Sequence, residues 1–139
     1  MKRDARITLV RPAELTDRAP YAYAAVTSSG TRLVLTAGAC PLDADGETVA
    51  PGDVTAQAEQ VMGNLRAALH AAGAELADVV KTTVYVASEQ RADLVKAWEV
   101  VRRHFGDHDA PSTLLGVTVL GYPDQLVEVE AVAVRPGER

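Results

Sequence analysis

Hydrophobic and polar positions along this chain fall into short alternating stretches and two longer helical ones. "RITLV" at 6–10 and "YAYAAVT" at 21–27 read as short strands, and "LVLTAG" at 33–38 as a third. "SSGTR" at 28–32 is a turn, so the second and third strands are predicted to form a hairpin. "PLDADGETVAPGD" is rich in Pro, Gly and Asp and reads as a loop. A helix follows. Asp53 is its predicted N-cap, and Val54, Ala58, Val61, Leu65, Ala68, Leu69 and Ala72 make one apolar stripe that Gly73 stops. "DVVKTTVYVA" at 78–87 is β-branched and reads as a strand. Ser88 is placed to cap a second helix, with a stripe of Leu94, Val95, Trp98, Val101 and Phe105 that ends at Gly106. Strands at about 113–120 and 126–134 close the chain.

The predicted order is β-β-β-α-β-α-β-β, an α+β arrangement with two helices covering one face of a mixed sheet. The last strand, "LVEVEAVAV", puts Val127, Val129, Ala131 and Ala133 on one face. Leu126, Glu128, Glu130, Val132 and Val134 fall on the other. The small apolar face suits a helix. Two acids on a strand that is otherwise apolar need water, a partner chain or a ligand. The uncovered sheet face carries enough apolar side chains to predict association with other subunits.

Length and composition narrow the class. The chain has 139 residues, the size of one domain spanning 1–139. It is 47% hydrophobic and 24% charged, as soluble domains are, and 4% aromatic, so Val, Leu and Ala must build the core. Its single cysteine, Cys40, cannot form an intrachain disulfide, which fits a reducing cytoplasm. No signal-peptide core or membrane-length apolar run is seen, so no membrane partner is expected. Net charge is −5. The basic residues at Lys2, Arg3, Arg6, Arg102 and Arg103 are not interleaved with stacking aromatics, which argues against nucleic acid.

Four segments carry a family resemblance: "APYAYAAV" at 19–26, "LVLTAGACPLDADGETV" at 33–49, the long block "DVTAQAEQVMGNLRAALHAAGAELADVVKTTVYV" at 53–86, and "LVEVEAVAV" at 126–134. Together they resemble the RidA (YjgF) family, and the central block is the most specific. The resemblance implies a chorismate-mutase-like α+β fold. It implies a homotrimer whose sheets face inward, with a small-molecule ligand bound in each inter-subunit cleft. It also implies hydrolysis of reactive imines and enamines to ketones or keto acids and ammonia, with no metal or organic cofactor.

Carried over residue by residue, the resemblance places Tyr21, Gly38 and Glu128 in the cleft, with Glu128 positioning the attacking water. Ala37 and Tyr23 depart from the Ser and Gln common there. Gln90 lies near a polar cleft position that is often Asn. The largest departure is in "HDAPSTLLG" at 108–116. Members that deaminate carry P-A-R-S, and the Arg binds the substrate carboxylate. Here Ala110 and Ser112 set the register and Pro111 takes the place of the Arg, so the bidentate, charge-assisted clamp is lost. Ser112 and Thr113 still offer hydroxyls and backbone N–H groups to a carbonyl or oxyanion.

Each candidate has a plainer reading. Glu128 could be solvated at a rim or paired with a neighbouring chain's Arg, and Glu130 is read as structural. Tyr21 and Tyr23 could be interface packing. Cys40 has no basic neighbour in sequence and reads as an inert thiol. His104 and His108 have a zinc-like i, i+4 spacing, but Gly106 breaks the helix between them, so both are expected in solvent. Two functions therefore stand. One is a RidA-like hydrolase acting on an imine, enamine or related electrophile without an α-carboxylate. The other is a non-catalytic trimeric module that binds a small metabolite or a protein.

Overall fold

A computed structural model describes residues 6–137. In chain order these form β1 (Ile7–Val10), β2 (Ala24–Thr27), β3 (Thr31–Leu35), α1 (Val54–Ala71), β4 (Val79–Val86), α2 (Arg91–Phe105), β5 (Ser112–Gly116) and β6 (Val127–Pro136). A short 3-10 turn, Leu76–Asp78, joins α1 to β4. The basic residues Lys2 and Arg3 lie outside the described residues.

β3, β6, β4 and β5 make one sheet in that spatial order. β4 and β5 are parallel, and the other two pairings are antiparallel. The sheet is mixed, as the element order implies. Parallel β4 and β5 require a crossover, and α2 supplies it. The expected hairpin of β2 with β3 does not form. β2 pairs with β1 in a separate ribbon, Ile7 opposite Thr27. β3 instead joins β6, which sets Leu33 against Val134 and Leu35 against Val132. A hairpin closed over 28–30 would have set Leu33 against Ala25 and Arg32 against Val26. Apolar cross-strand pairs favour the long-range partner.

The helices cover one face of this sheet, as the two-layer reading requires. Asp53 caps α1 by accepting from Ala56 N at 3.0 Å. Val61, Met62, Leu65 and Leu69 of α1 and Ala97 and Val101 of α2 are buried against Val84, Val86, Val127, Val129, Ala131 and Ala133. The stripes differ in detail from expectation. Ala68 is exposed and Met62 takes a core place. Val95 is exposed on α2, while Ala97 and Val100 are buried. The α2 cap is Gln90; Ser88 instead accepts from Gln90 N and donates to Asp93 Oδ2 at 2.7 Å. Gly106, at φ 60°, ends the helix in a conformation that favours glycine.

The opposite face of the sheet is open. Leu33 is 63% exposed and Leu35 is 72% exposed on β3 at one edge, and Leu115 is exposed on β5 at the other edge. Val134, on the same face by alternation, is fully buried.

Candidate functional site

On β6 the buried Val127, Val129 and Ala131 alternate with Glu128 and Glu130, so both acids point to the open face. Across the ladder stand Tyr85, opposite Glu128, and Thr83, opposite Glu130. The Tyr85 hydroxyl donates to Glu130 Oε1 at 2.7 Å. That bond holds Glu130 in a side-chain pair and is the first cause of a raised Tyr85 phenol pKa. Glu128 turns the other way, toward the segment that follows β3.

This segment bulges. Thr36 N donates to Ala131 O at 3.1 Å and Ala39 N to Val129 O at 2.7 Å, so the steps from 36 to 39 span only those from 131 to 129. The extra residue aims Gly38 at the Glu128 carboxylate. Oε2 fills the space that a side chain at position 38 would need. Oε1 has two donors, Gln125 Nε2 at 3.1 Å and Cys40 Sγ at 3.4 Å. Burial raises the Cys40 thiol pKa, and the negative charge of Glu128 raises it further, so the thiol stays protonated and can donate.

Helix α1 explains why these segments converge. Asn64 Nδ2 donates to Cys40 O at 2.8 Å and to Leu42 O at 2.9 Å. Gln57 Nε2 donates to Asp124 O at 2.9 Å, and its Oε1 accepts from Leu126 N at 2.7 Å. Side-chain amides of one helix thus tie down both loops that flank Glu128. Gln57 is fully buried, so these bonds satisfy an amide that would otherwise be costly inside the protein.

A second group gathers at the far strand of the sheet. Pro20, Tyr21, Trp98, Ser112, Thr113 and Leu114 line a cavity of about 500 Å³. Tyr21 stands edge-on to Tyr23, with centroids 5.9 Å apart, and edge-on to Trp98 at 6.4 Å. The Tyr23 hydroxyl is engaged with Thr16 O at 2.7 Å. Ser112 hydrogen-bonds Thr82 through its hydroxyl and donates to Ala110 O at 3.1 Å. Thr113 Oγ1 accepts from Lys81 Nζ at 2.6 Å. Pro111 is buried, and its carbonyl accepts from Thr82 N at 3.0 Å. Lys81 and Pro111 each lie one residue before the paired Thr82 and Ser112.

The structure therefore brings the expected residues together in two sets. Glu128 and Gly38 meet, and Tyr21, Ser112 and Thr113 line the cavity, with Tyr23 packed edge-on against Tyr21. Gln90 joins neither set; it is exposed at the start of α2, where its neighbours Glu89 and Arg91 line a different cavity. His104 bonds Glu59 Oε1 at 2.6 Å and His108 bonds Val79 O at 2.7 Å, so both are engaged rather than free in solvent. Among the described residues no group of three His, Cys, Asp or Glu could hold a metal ion. Gln125, Trp98 and Lys81 were not singled out by sequence reasoning. Trp98 read as core on an apolar stripe, Gln125 sits in an aperiodic loop, and Lys81 interrupts a β-branched strand as any solvated Lys would.

Comparison with known proteins gives this geometry a family. The family model described as Endoribonuclease L-PSP matches residues 12–135. A RutC family protein of Pyrococcus horikoshii is 34% identical over 113 residues, covering 81% of this chain and 86% of its own. The 2-iminobutanoate/2-iminopropanoate deaminase of Salmonella typhimurium is 37% identical over 105 residues, covering 74% of this chain and 80% of its own. Among solved structures, the Rid-family protein YyfB of Yersinia pestis has a TM-score of 0.83 at 32% identity, covering 92% of this chain and 98% of its own. The matched span, the mixed sheet under two helices and the Rid-family neighbour agree: the chain belongs to the RidA (YjgF) family and has its chorismate-mutase-like fold. No described helix is long and apolar enough to cross a membrane.

Proposed function

We propose that this protein is a Rid-type hydrolase of imines, enamines or related electrophiles, acting on molecules that do not present an α-carboxylate to residue 111. One observation carries the reading: Glu128 is fixed through Oε1 while Oε2 faces the Gly38 backbone. A carboxylate held in this way can orient a water and take its proton as the oxygen attacks the imine carbon. The proton then passes to nitrogen, the carbon–nitrogen bond breaks, and ammonia leaves with a carbonyl product. The Salmonella relative, named for this class of reaction, supports the assignment.

Substrate choice follows from the second set of residues. Pro111 offers no donor, and Lys81 is a point charge already engaged by Thr113. The cavity walls are Tyr21 and Trp98 rather than a guanidinium. Apolar or aromatic imines suit them better than those of ordinary amino acids. The exposed Leu33, Leu35 and Leu115 support a homotrimer in which a neighbouring subunit completes each cleft, and the lone Cys40 fits a cytoplasmic setting.

The test generates two imines in situ and follows semicarbazide trapping with and without the protein. One is 2-iminobutanoate; the other is an aryl-alkyl imine formed from its amine by a flavin amine oxidase. Faster loss of the aryl-alkyl imine supports the proposal. Equal or greater action on 2-iminobutanoate removes the substrate claim, and no action on either removes the hydrolase. A non-catalytic binding module is the second reading, favoured by Pro111 in place of the Arg. Trp98 is the chain's single tryptophan and adjoins the cavity, so its emission reports occupancy whether or not turnover occurs.

A further inference from the structure

We infer that Gln125 is a positioning residue for Glu128: it selects which carboxylate oxygen works. The inference rests on the hydrolase reading above. Gln125 is 4% exposed, and its amide is held on every side. Oε1 accepts from Tyr122 N at 3.0 Å, and Nε2 donates to Val127 O at 3.1 Å and to Glu128 Oε1 at 3.1 Å. These partners fix the amide's orientation, because Tyr122 N can only donate and the Val127 carbonyl can only accept. The second Nε2 hydrogen is thereby aimed at Glu128.

The loop holding Gln125 is anchored in turn. Gln57 of α1 bonds Asp124 O and Leu126 N, the residues on either side of it. Cys40 adds a weaker donor to the same Glu128 oxygen. Oε1 therefore has its hydrogen bonds from within the chain, and Oε2 is the oxygen left to accept a proton from water. An unheld Glu128 would have further rotamers open to it, and only some of them place Oε2 beside Gly38. Holding a catalytic group in one geometry is worth orders of magnitude in rate.

A double-substitution cycle tests this. Gln125→Met keeps the length and removes both donor and acceptor; Glu128→Gln removes the acid. Turnover of the better of the two imines above is measured for the unsubstituted protein, each single variant and the double variant. Gln125→Met is expected to lower kcat at least 10-fold with KM within about twofold, since it leaves the cavity walls unchanged. The double variant is expected to be no slower than Glu128→Gln alone, because positioning acts only through Glu128. Losses that multiply in the double variant overturn the inference, as does an unchanged kcat in folded Gln125→Met. Gln125→Glu is the second variant, needed if Met disturbs the loop; it places a like charge against Glu128 and is expected to lose at least as much.

A thiol titration separates this inference from the hydrolase reading. Burial raises the Cys40 thiol pKa, and the charge of Glu128, whose Oε1 lies 3.4 Å from Sγ, raises it further. Followed by thiolate absorbance, Glu128→Gln is expected to titrate below the unsubstituted protein, and Gln125→Met, which releases Glu128 from beside Cys40, below it as well. Those shifts without any turnover would leave the Gln125–Glu128–Cys40 cluster standing and remove the hydrolase, and the positioning role with it. Turnover without those shifts would keep the hydrolase and overturn the cluster.

Discussion

A Cβ placed on Gly38 would lie 2.0 Å from Glu128 Oε2, far inside contact distance. The atoms it meets all belong to the Glu128 side chain, so the clash can be relieved without moving backbone. Gly38 is not among the residues with positive φ, so alanine is allowed there by the backbone itself. Gly38→Ala is therefore expected to push the carboxylate off its position while the fold persists. Turnover should fall about 100-fold, the scale of a positioned acid–base group. The thermal midpoint should move by only a few degrees. A large loss of stability with full specific activity in the folded fraction would contradict this.

Lys81 lies one residue before the Thr82–Ser112 pair, as Pro111 does, and its Nζ reaches Thr113 at 2.6 Å. Any residual action on 2-iminobutanoate should depend on it. Lys81→Met is expected to raise KM for 2-iminobutanoate several-fold and to leave KM for the aryl-alkyl imine unchanged. Steady-state kinetics on both substrates would check the pattern. Pro111→Arg should recover only part of the carboxylate preference. Residue 111 is buried here, and the family resemblance makes Ala37 and Tyr23 departures as well, so one substitution is not expected to act alone.

Much of this architecture was legible in the periodicity. The inward face of β6 and the caps at Asp53 and Gly106 follow from local rules that the structure obeys. The partner of β3 was not legible. Strand pattern says which residues share a face, and it does not say which distant strand supplies Val132 and Val134. Glu128 and Glu130 stood out together because acids on an apolar strand violate the pattern, and the family resemblance was needed to choose Glu128. Gln125 did not stand out, because nothing in an aperiodic loop shows that its amide turns back onto Tyr122, Val127 and Glu128. Trp98 packs against the core as its place on the apolar stripe implies, but that pattern does not show that it also edges a cavity.

Glu59 gives a pH-dependent contact away from the site. The hydrogen bond from His104, with a further one from Arg103, holds its carboxyl below the usual value. A carboxylate with a lowered folded pKa contributes stability above its unfolded pKa and loses it as pH falls through the folded one. The contribution should therefore be full at neutral pH and disappear in acid, below about pH 4.5. The pair is solvent-exposed, so its size should be about 0.2–1 kcal/mol and should shrink with salt. Urea melts of Glu59→Gln and the unsubstituted protein should differ at pH 7 and converge near pH 3.

Assembly is the remaining expectation, and it rests on the open sheet face. Leu33 and Leu35 sit on β3 at one edge of that face, Leu115 on β5 at the other, with Glu128, Glu130 and Tyr85 between them. A face with large apolar side chains at both edges and a held acid in its middle is the pattern of an interface that encloses a polar site. Leu35→Asp would put a charge where another subunit must dry the surface, and a desolvated, unpaired carboxylate costs several kcal/mol. It points away from the helix layer, so the chain's own core should be untouched. The expected result is a trimer for the unsubstituted protein by sedimentation at micromolar concentration, and a folded monomer for Leu35→Asp. If the clefts form between subunits, that monomer should lose turnover while retaining its circular dichroism. An active Leu35→Asp monomer would show that one chain carries a complete site.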